Sequence, residues 1–413
     1  MKHSKKSINI TLLLAIIILL SGVLLPTPPI ANAASSSSKI KVSDFIRIVV
    51  QATGITIDKG KSSPYLSAAM TAGIVKSGDF KDYKAYLTRT DTALILNRAD
   101  EYLYGDTLDR KLLKIVMEER ISDISKITKS KREAVAKVYA KGYMKGYSNG
   151  YYIKSREFRG NEYMTIAGAR GAVAMLKDTK KRTKISPDGQ LIRTTNLPKN
   201  AKDYEYILTT YPNSFYEMKF MYQMSTFYFE PVELEHYASP VRFKDIIFCD
   251  GAMQSVLDKY LETWVNRVET NLKYRLNVNY KTINNSWING LRSSYTQYGD
   301  AYSDKRITDE IKKYVEVVKK NKIVIQSKTI IVEPSTLYQH GAGYYLRTYV
   351  KFKLTYSGSK LTSNELIGGD RVLLESLKKD TWFTGVYDIK LGTVNGSSNG
   401  SDYYVTNDSL IDY

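Results

Sequence analysis

Hydrophobic positions change their period along the chain. A long, mostly apolar run extends from Ile8 to about Leu25; Lys2, Lys5 and Lys6 precede it, and Pro26, Pro28, Pro29 and Ala31-Asn32-Ala33 follow. A positive start, about 18 apolar residues and a small-x-small end are the layout of a secretory signal peptide, so cleavage is expected after Ala33. The competing reading is an uncleaved membrane anchor. The prolines and the Ala-x-Ala end favour cleavage, after which no later segment is apolar enough to span a bilayer. Ser35–Ser38 is a short polar tether. From Ile40 to about Lys180 the apolar residues recur at helical spacing: Phe45, Ile46, Val49 and Val50; then Leu94, Ile95 and Leu103; then Ala134, Val135, Val138 and Tyr139. A Lys, Thr, Pro and Gly stretch from about Lys181 to Asn200 reads as a boundary.

Beyond it the pattern is mixed, with a strand-like run at Phe227–Phe229. A long amphipathic helix then runs from Gly251 to about Asn277, its stripe made by Met253, Val256, Leu257, Tyr260, Leu261, Trp264, Val265, Val268 and Leu272. A shorter helix is expected around Trp287. Another runs from Asp304 to Lys320, with Ile307, Ile311, Tyr314, Val315 and Val318 inward. The period then falls to two. Ile323, Ile325 and Ile330–Val332 read as strand. Tyr345–Thr355 alternates, with Leu346, Thr348, Val350, Phe352 and Leu354 on a buried face and Tyr345, Arg347, Tyr349, Lys351, Lys353 and Thr355 on a wet one. Trp382–Leu391 and Tyr403–Val405 are further strands, and Asn395–Asp402 is a Gly, Ser and Asn loop. Trp264, Trp382 and Trp287 are assigned to the core. Helices first and strands second predict an N-terminal all-α module followed by an α+β domain with an antiparallel sheet. The expected divisions are a signal peptide at 1–33, helical repeats at 34–180, a linker at 181–203 and the α+β domain at 204–413.

Composition narrows the chemistry. With 61 basic and 42 acidic side chains the chain carries +19; removing residues 1–33 takes away three lysines and no acid, which leaves +16. A secreted protein of that charge is drawn to polyanions, which outside a cell are wall polymers and anionic lipids. No nucleic-acid motif is present. One cysteine excludes an internal disulfide framework and a cysteine-built zinc site, and three histidines argue against most metalloenzymes and triad hydrolases. No metal or cofactor is expected. The 34 tyrosines against 11 phenylalanines supply flat apolar faces with polar tips, suited either to sugar and polymer contacts or to solvated strand positions.

In the helical region a pair of stretches align with each other. One runs from Ala68 through Gly73-Ile74-Val75 and Gly78 to Leu87-Thr88-Arg89-Thr90-Asp91 and Leu96. The other runs from Val138 through Gly142-Tyr143-Met144-Lys145-Gly146-Tyr147 and Gly150 to Met164-Thr165-Ile166 and Leu176. Each is a helix ending at glycine, a loop with a second glycine, and a threonine that caps the next helix. Upstream, Ile40–Ile55 matches the second helix alone, with Asp44 where Asp91 stands and Gly54 closing it. These residues resemble S-layer homology repeats, the wall-anchoring modules of Gram-positive surface proteins. Ile121-Ser122-Asp123-Ile124 corresponds to the family's opening F-x-D-V, Gly142–Tyr147 to its glycine element, and Thr88-Arg89-Thr90-Asp91 to its T-R-A-E helix start. The resemblance covers roughly residues 40–178. The arginine survives only as Arg89, with Val42 and Ile166 in the other copies; the acid survives as Asp44 and Asp91 but is Gly168 in the third.

The resemblance implies three repeats packed into a three-pronged helical body. Grooves between them would hold a secondary wall polysaccharide, often through a pyruvylated terminal sugar. The polysaccharide-binding candidates are then Thr88, Arg89, Asp91, Asp123, Tyr143 and Tyr147. An arginine at a helix start offers an anion a forked, charge-assisted pair, and the backbone N–H groups there add to it. Arg89, Asp91 and the tyrosines also have structural readings: Arg89 as a solvated first-turn residue, Asp91 as compensation of the helix start, and the tyrosines as loop cover.

An enzyme in the second half is the alternative. Glu230, Glu233, Glu235 and His236 are close enough to supply paired carboxylates for glycoside cleavage, although Phe229–His236 alternates like a strand and puts Glu233 and Glu235 on one face as ion-pair partners. Cys249 with His236 or His340 has the elements of a thiol nucleophile and base, although Ile246-Ile247-Phe248-Cys249 reads as a buried apolar run. Gly341-Ala342-Gly343 and Gly368-Gly369 are turns rather than phosphate cradles. The sequence therefore points to a wall-anchored surface protein displaying an α+β binding or structural domain, with no catalytic residue assigned, against a wall-glycan hydrolase.

Overall fold

The structure is a computed structural model that describes residues 38–218, 241–242, 253–340, 343–357, 378–394 and 399–406. The signal segment, the Phe227–Phe229 run, Glu230, Glu233, Glu235, His236, Cys249, Gly341, Ala342, Gly368 and Gly369 lie outside the described residues. The described residues divide into two compact units that alternate along the chain: 38–105 with 161–179, and 106–160 with the described residues from 180 onward.

The first unit is helical. It contains α1 (Val42–Thr53), α2 (Pro64–Thr71), α3 (Arg89–Tyr104) and α6 (Ile166–Lys177). The expected stripe of α1 is buried at Phe45, Ile46, Val49 and Val50. The helix packs on α3 and α6, in which Ile95, Leu96 and Ala99 and Ala169, Ala172 and Leu176 are also buried; Leu103 is only half-buried. The three segments that lead into α1, α3 and α6 are joined by a closed ring of backbone hydrogen bonds. Ile40 N–H donates to the Met164 carbonyl (3.0 Å), Met164 N–H to that of Leu87 (2.9 Å), and Leu87 N–H to that of Ile40 (2.9 Å). A second ring runs from Val42 to Ala85 (3.0 Å), Arg89 to Glu162 (2.8 Å) and Ile166 to Ser38 (2.9 Å). The rings relate three chain segments by an approximate three-fold axis and fix their register: Ile40, Leu87 and Met164 are equivalent, and so are Val42, Arg89 and Ile166. That is the register read from the repeats.

The second unit is mixed α/β. It holds α4 (Arg110–Ile115), a π-helical turn at Val116–Arg120, α5 (Lys129–Ala140) and a two-stranded ribbon, β1 (Tyr147–Ser148) with β2 (Arg156–Glu157). The helical region anticipated over 34–180 thus includes a short ribbon. After it, α7 (Asn213–Glu217) is followed by α8 (Met253–Arg275), α9 (Asn285–Arg292) and α10 (Ala301–Lys320). Residues 181–200 are packed rather than bare: Ile185 bridges Leu191, and Ser186 and Gln190 are buried.

Among the described residues six strands form an antiparallel sheet in the order β3 (Val241–Arg242), β5 (Val324–His340), β6 (Gly343–Thr355), β7 (Trp382–Gly392), β8 (Tyr404–Val405), with β4 (Asn277–Asn279) also on β5. Ile325 and Ile330–Val332, read as strand, lie in the single strand β5, which begins one residue after Ile323. Opposite Phe352 and Lys351 of β6 it carries Ser327 and Thr329, so Lys328 is an extra, bulged residue that shifts the alternation. One sheet face packs on the helices. Leu257, Trp264, Val268 and Leu272 of α8, Ile288 and Leu291 of α9, and the five expected residues of α10 join Leu346, Val350, Phe352 and Leu354 of β6.

The other face departs from expectation. Tyr349, Lys351, Lys353 and Thr355 are partly exposed, as an alternating strand requires, but Tyr345 and Arg347 are buried. Residues 204–216 lay Tyr204, Ile207, Leu208, Tyr211, Phe215 and Tyr216 over Ile331, Tyr349 and Val386. Under this cover Arg347 makes a forked pair with Asp388 (2.7 and 2.8 Å) and donates to the carbonyls of Phe215 (3.0 Å) and Met218 (3.1 Å). Tyr338 donates its hydroxyl to the same carboxylate (3.1 Å). Trp264 is core and donates to the Gly400 carbonyl (2.7 Å). Trp287 is partly buried, and Trp382, expected in the core, is 44% exposed with the Lys353 ammonium over its ring. Trp382 falls in the first residues of β7, past the covering layer, which is why it stays wet.

Candidate functional site

The repeat elements rest on two devices: a glycine that ends one helix and a threonine that starts the next. At the end of α2, Gly73 N–H bonds to the Met70 carbonyl (3.0 Å) and Ile74 N–H to that of Ala69 (2.9 Å). At the end of α5, Gly142 N–H bonds to Tyr139 (2.9 Å) and Tyr143 N–H to Val138 (3.0 Å). This is the paired bond pattern that closes a helix on a left-handed residue, and the glycines have φ of +71° and +74°. Gly142 is doubly required, since a Cβ there would come within 2.0 Å of the Thr183 carbonyl oxygen. Thr88 and Thr165 then cap α3 and α6 by accepting from Asp91 N–H and Gly168 N–H, each at 3.1 Å.

In the first unit the structure brings Thr88, Arg89 and Asp91 together at the start of α3. The cap is reciprocal: the Thr88 hydroxyl donates to the Asp91 carboxylate (2.7 Å) while its oxygen accepts from Asp91 N–H. Asp91 therefore holds the threonine that ends the strand-like lead-in. Arg89 is half-buried and its backbone is locked by the bond to Glu162. The equivalents of Arg89 differ in character, Val42 being buried and Ile166 half-buried. Asp44, the equivalent of Asp91, pairs with Arg47 (3.3 Å) on an exposed helix face.

The second unit holds the other three candidates. Asp123 is buried and its two carboxylate oxygens accept from Phe158 N–H (2.7 Å) and Arg159 N–H (2.8 Å). It pins the turn at Arg159, where φ is +54°. Arg159 lays its guanidinium 4.2 Å over the ring of Tyr147, which is 37% exposed, so Asp123 and Tyr147 are linked through one residue. Tyr143 is buried, with the Arg182 guanidinium 4.3 Å over its ring. Arg156 donates to the carbonyls of Lys145 (2.8 Å) and Gly146 (3.2 Å), tying the ribbon to the glycine element.

The sequence reading did not single out Lys39, Tyr86 and Tyr163, which the backbone ring also brings together. The available signal was positional, since Tyr86 and Tyr163 each stand two residues before a capping threonine. Among the described residues no three His, Cys, Asp or Glu side chains converge as metal ligands do, and no described helix is long and apolar enough to cross a membrane.

No curated protein matches the chain. The family model of the S-layer homology domain matches residues 120–165. The match opens at the turn bearing Asp123 and runs through α5, the closing glycine and the ribbon to the threonine that caps α6. Over residues 120–165, therefore, the chain contains a segment similar to the S-layer homology domain.

Proposed function

We propose that this is a secreted surface protein held non-covalently to the cell wall, with its S-layer homology repeats binding an anionic secondary wall polysaccharide. The observation that carries the reading is the family match over residues 120–165. The recurrence of the same helix-closing and helix-capping bonds at residues 68–104 supports extending it to further copies. Wall anchoring is what the family implies, and the α+β domain is then displayed at the surface as a binding or structural domain.

On this reading Arg89, the one arginine at its three-fold position, pairs with an anionic group of the polymer such as the carboxylate of a pyruvylated terminal sugar. Thr88 and Asp91 hold the helix start that presents it. Asp123 acts by fixing the Arg159 turn, and Tyr147 offers the partly open ring beside it. A charge-assisted pair of this kind is worth about 1.5–3 kcal/mol, so Arg89→Ala is expected to weaken binding to purified wall sacculi roughly ten- to a hundredfold. Arg89→Lys recovers part of the loss, because a point charge lacks the fork. General attraction by the basic surface behaves differently: it fades in about 0.5 M salt and barely registers one arginine. Equal binding by wild type and Arg89→Ala, with both lost in salt, would refute the Arg89 site.

A further inference from the structure

The outer side of the three-fold ring carries a cluster that the family resemblance does not use. Lys39, Tyr86 and Tyr163 are equivalent positions, each one residue before the ring members Ile40, Leu87 and Met164. Strand-like alternation sends the two sets to opposite sides. Ile40, Leu87 and Met164 are buried and close the core side of the axis. Tyr86 and Tyr163 meet edge to face, with centroids 5.9 Å apart and planes at 64°. The Lys39 ammonium stands 4.4 Å from the Tyr163 ring centre and 5.5 Å from that of Tyr86. Among the described residues no carboxylate pairs with Lys39.

A seal for the axis would bury its apolar surface, yet Tyr86 and Tyr163 remain 50% and 49% exposed. The inner residues already make the seal. What is left outside is two open aromatic faces set at an angle, with a cation between them, on a backbone held rigid by six hydrogen bonds. Aromatic faces take the C–H face of a sugar ring, and an ammonium that lacks an acidic partner takes a negative charge. Prior fixing of the three positions removes much of the ordering cost of binding.

We propose that Lys39, Tyr86 and Tyr163 form a saccharide subsite on the three-fold axis of the first unit, which takes a sugar ring carrying a negative charge. The proposal rests on the wall-polysaccharide reading and adds to it a contact separate from Arg89. The probe is soluble polysaccharide released from wall sacculi, with neutral dextran as the uncharged control, added to the full chain. Tyrosine nitration of the wild-type protein is followed residue by residue. Tyr86 and Tyr163 should react several-fold more slowly in the wall polysaccharide and at an unchanged rate in dextran, while Tyr302, 81% exposed, reports on general shielding. Tyr86→Leu with Tyr163→Leu keeps an apolar cover but removes the flat rings; it should bind about tenfold more weakly with an unchanged melting temperature. Lys39→Gln should lose a few-fold. Unchanged nitration rates at Tyr86 and Tyr163, together with unchanged binding by the leucine variant, would overturn the subsite. If Arg89→Ala weakens binding in the same assay, the wall reading survives that result. A wild-type chain that does not bind the polysaccharide at all would remove both.

Discussion

Glu333 shows how far a single side chain's chemistry is set by what covers it. Burial, reinforced by the negative charge of Asp188, pushes its carboxyl up to about 7, although Ser335 donates to it from both hydroxyl (2.7 Å) and backbone (3.2 Å) and Lys154 pulls the other way. Tyr206, Tyr211 and Tyr216 face the same charge, and their hydroxyls are raised in turn, chiefly by burial. A carboxyl whose folded pKa lies above its unfolded value binds more protons folded than unfolded. Its effect on stability is therefore neutral below about pH 4.5 and increasingly unfavourable up to about pH 7, reaching on the order of 3 kcal/mol. Glu333→Gln, which cannot ionise, should gain on wild type when the pH rises from 5 to 8. Denaturant unfolding at the two pH values checks this, and the same difference between variants at both would contradict it. Gly142 and Gly73 make a second pair. Both adopt left-handed backbone, but only Gly142 would drive a Cβ into Thr183. Gly73→Ala should cost about 1–2 kcal/mol, the strain of the conformation alone. Gly142→Ala should cost clearly more, and equal losses in unfolding measurements would show that the Thr183 approach does not matter.

At the scale of elements, what was legible followed from local bonding. The helix-ending glycines, the capping threonines and the stripe of α10 each depend on residues within one or two turns, so their spacing carried them. Strand β6 was half legible. Its inner face was read correctly, but Arg347 in an outward register looks solvated until residues 204–216, more than a hundred positions away, are known to cover it. Its partner Asp388 gave no local sign either. Asp123 was read as a sugar contact, while the structure gives both of its oxygens to backbone N–H groups, a use no spacing rule separates from ligand binding. The buried pair yields a prediction of its own. Asp388→Ala leaves a desolvated guanidinium and should destabilise the protein by about 3–5 kcal/mol. Replacing the pair together, as Arg347→Met with Asp388→Leu, should cost much less. A double variant as unstable as the single one in thermal unfolding would mean that the hydrogen bonds to Phe215 and Met218, rather than the ion pair, carry the contact.

Across the whole molecule the compact units are interleaved, since the chain leaves the first at about residue 105, returns at 161 and leaves again at 179. Thr183 N–H bonds to the Gly142 carbonyl (3.0 Å), so a fragment cut at residue 180 would lose a tie of the glycine element. Wall binding is therefore best measured on the chain from residue 34 to 413. Its net charge of +16 makes non-specific adhesion the chief rival explanation. The direct test is retention on purified wall sacculi in about 0.5 M salt, where the Debye length falls to about 4 Å and diffuse attraction is screened, before and after the secondary polysaccharide is extracted. The account predicts that the chain is retained on intact sacculi and released from extracted ones. Equal retention on both, or loss from both once salt is added, would contradict it.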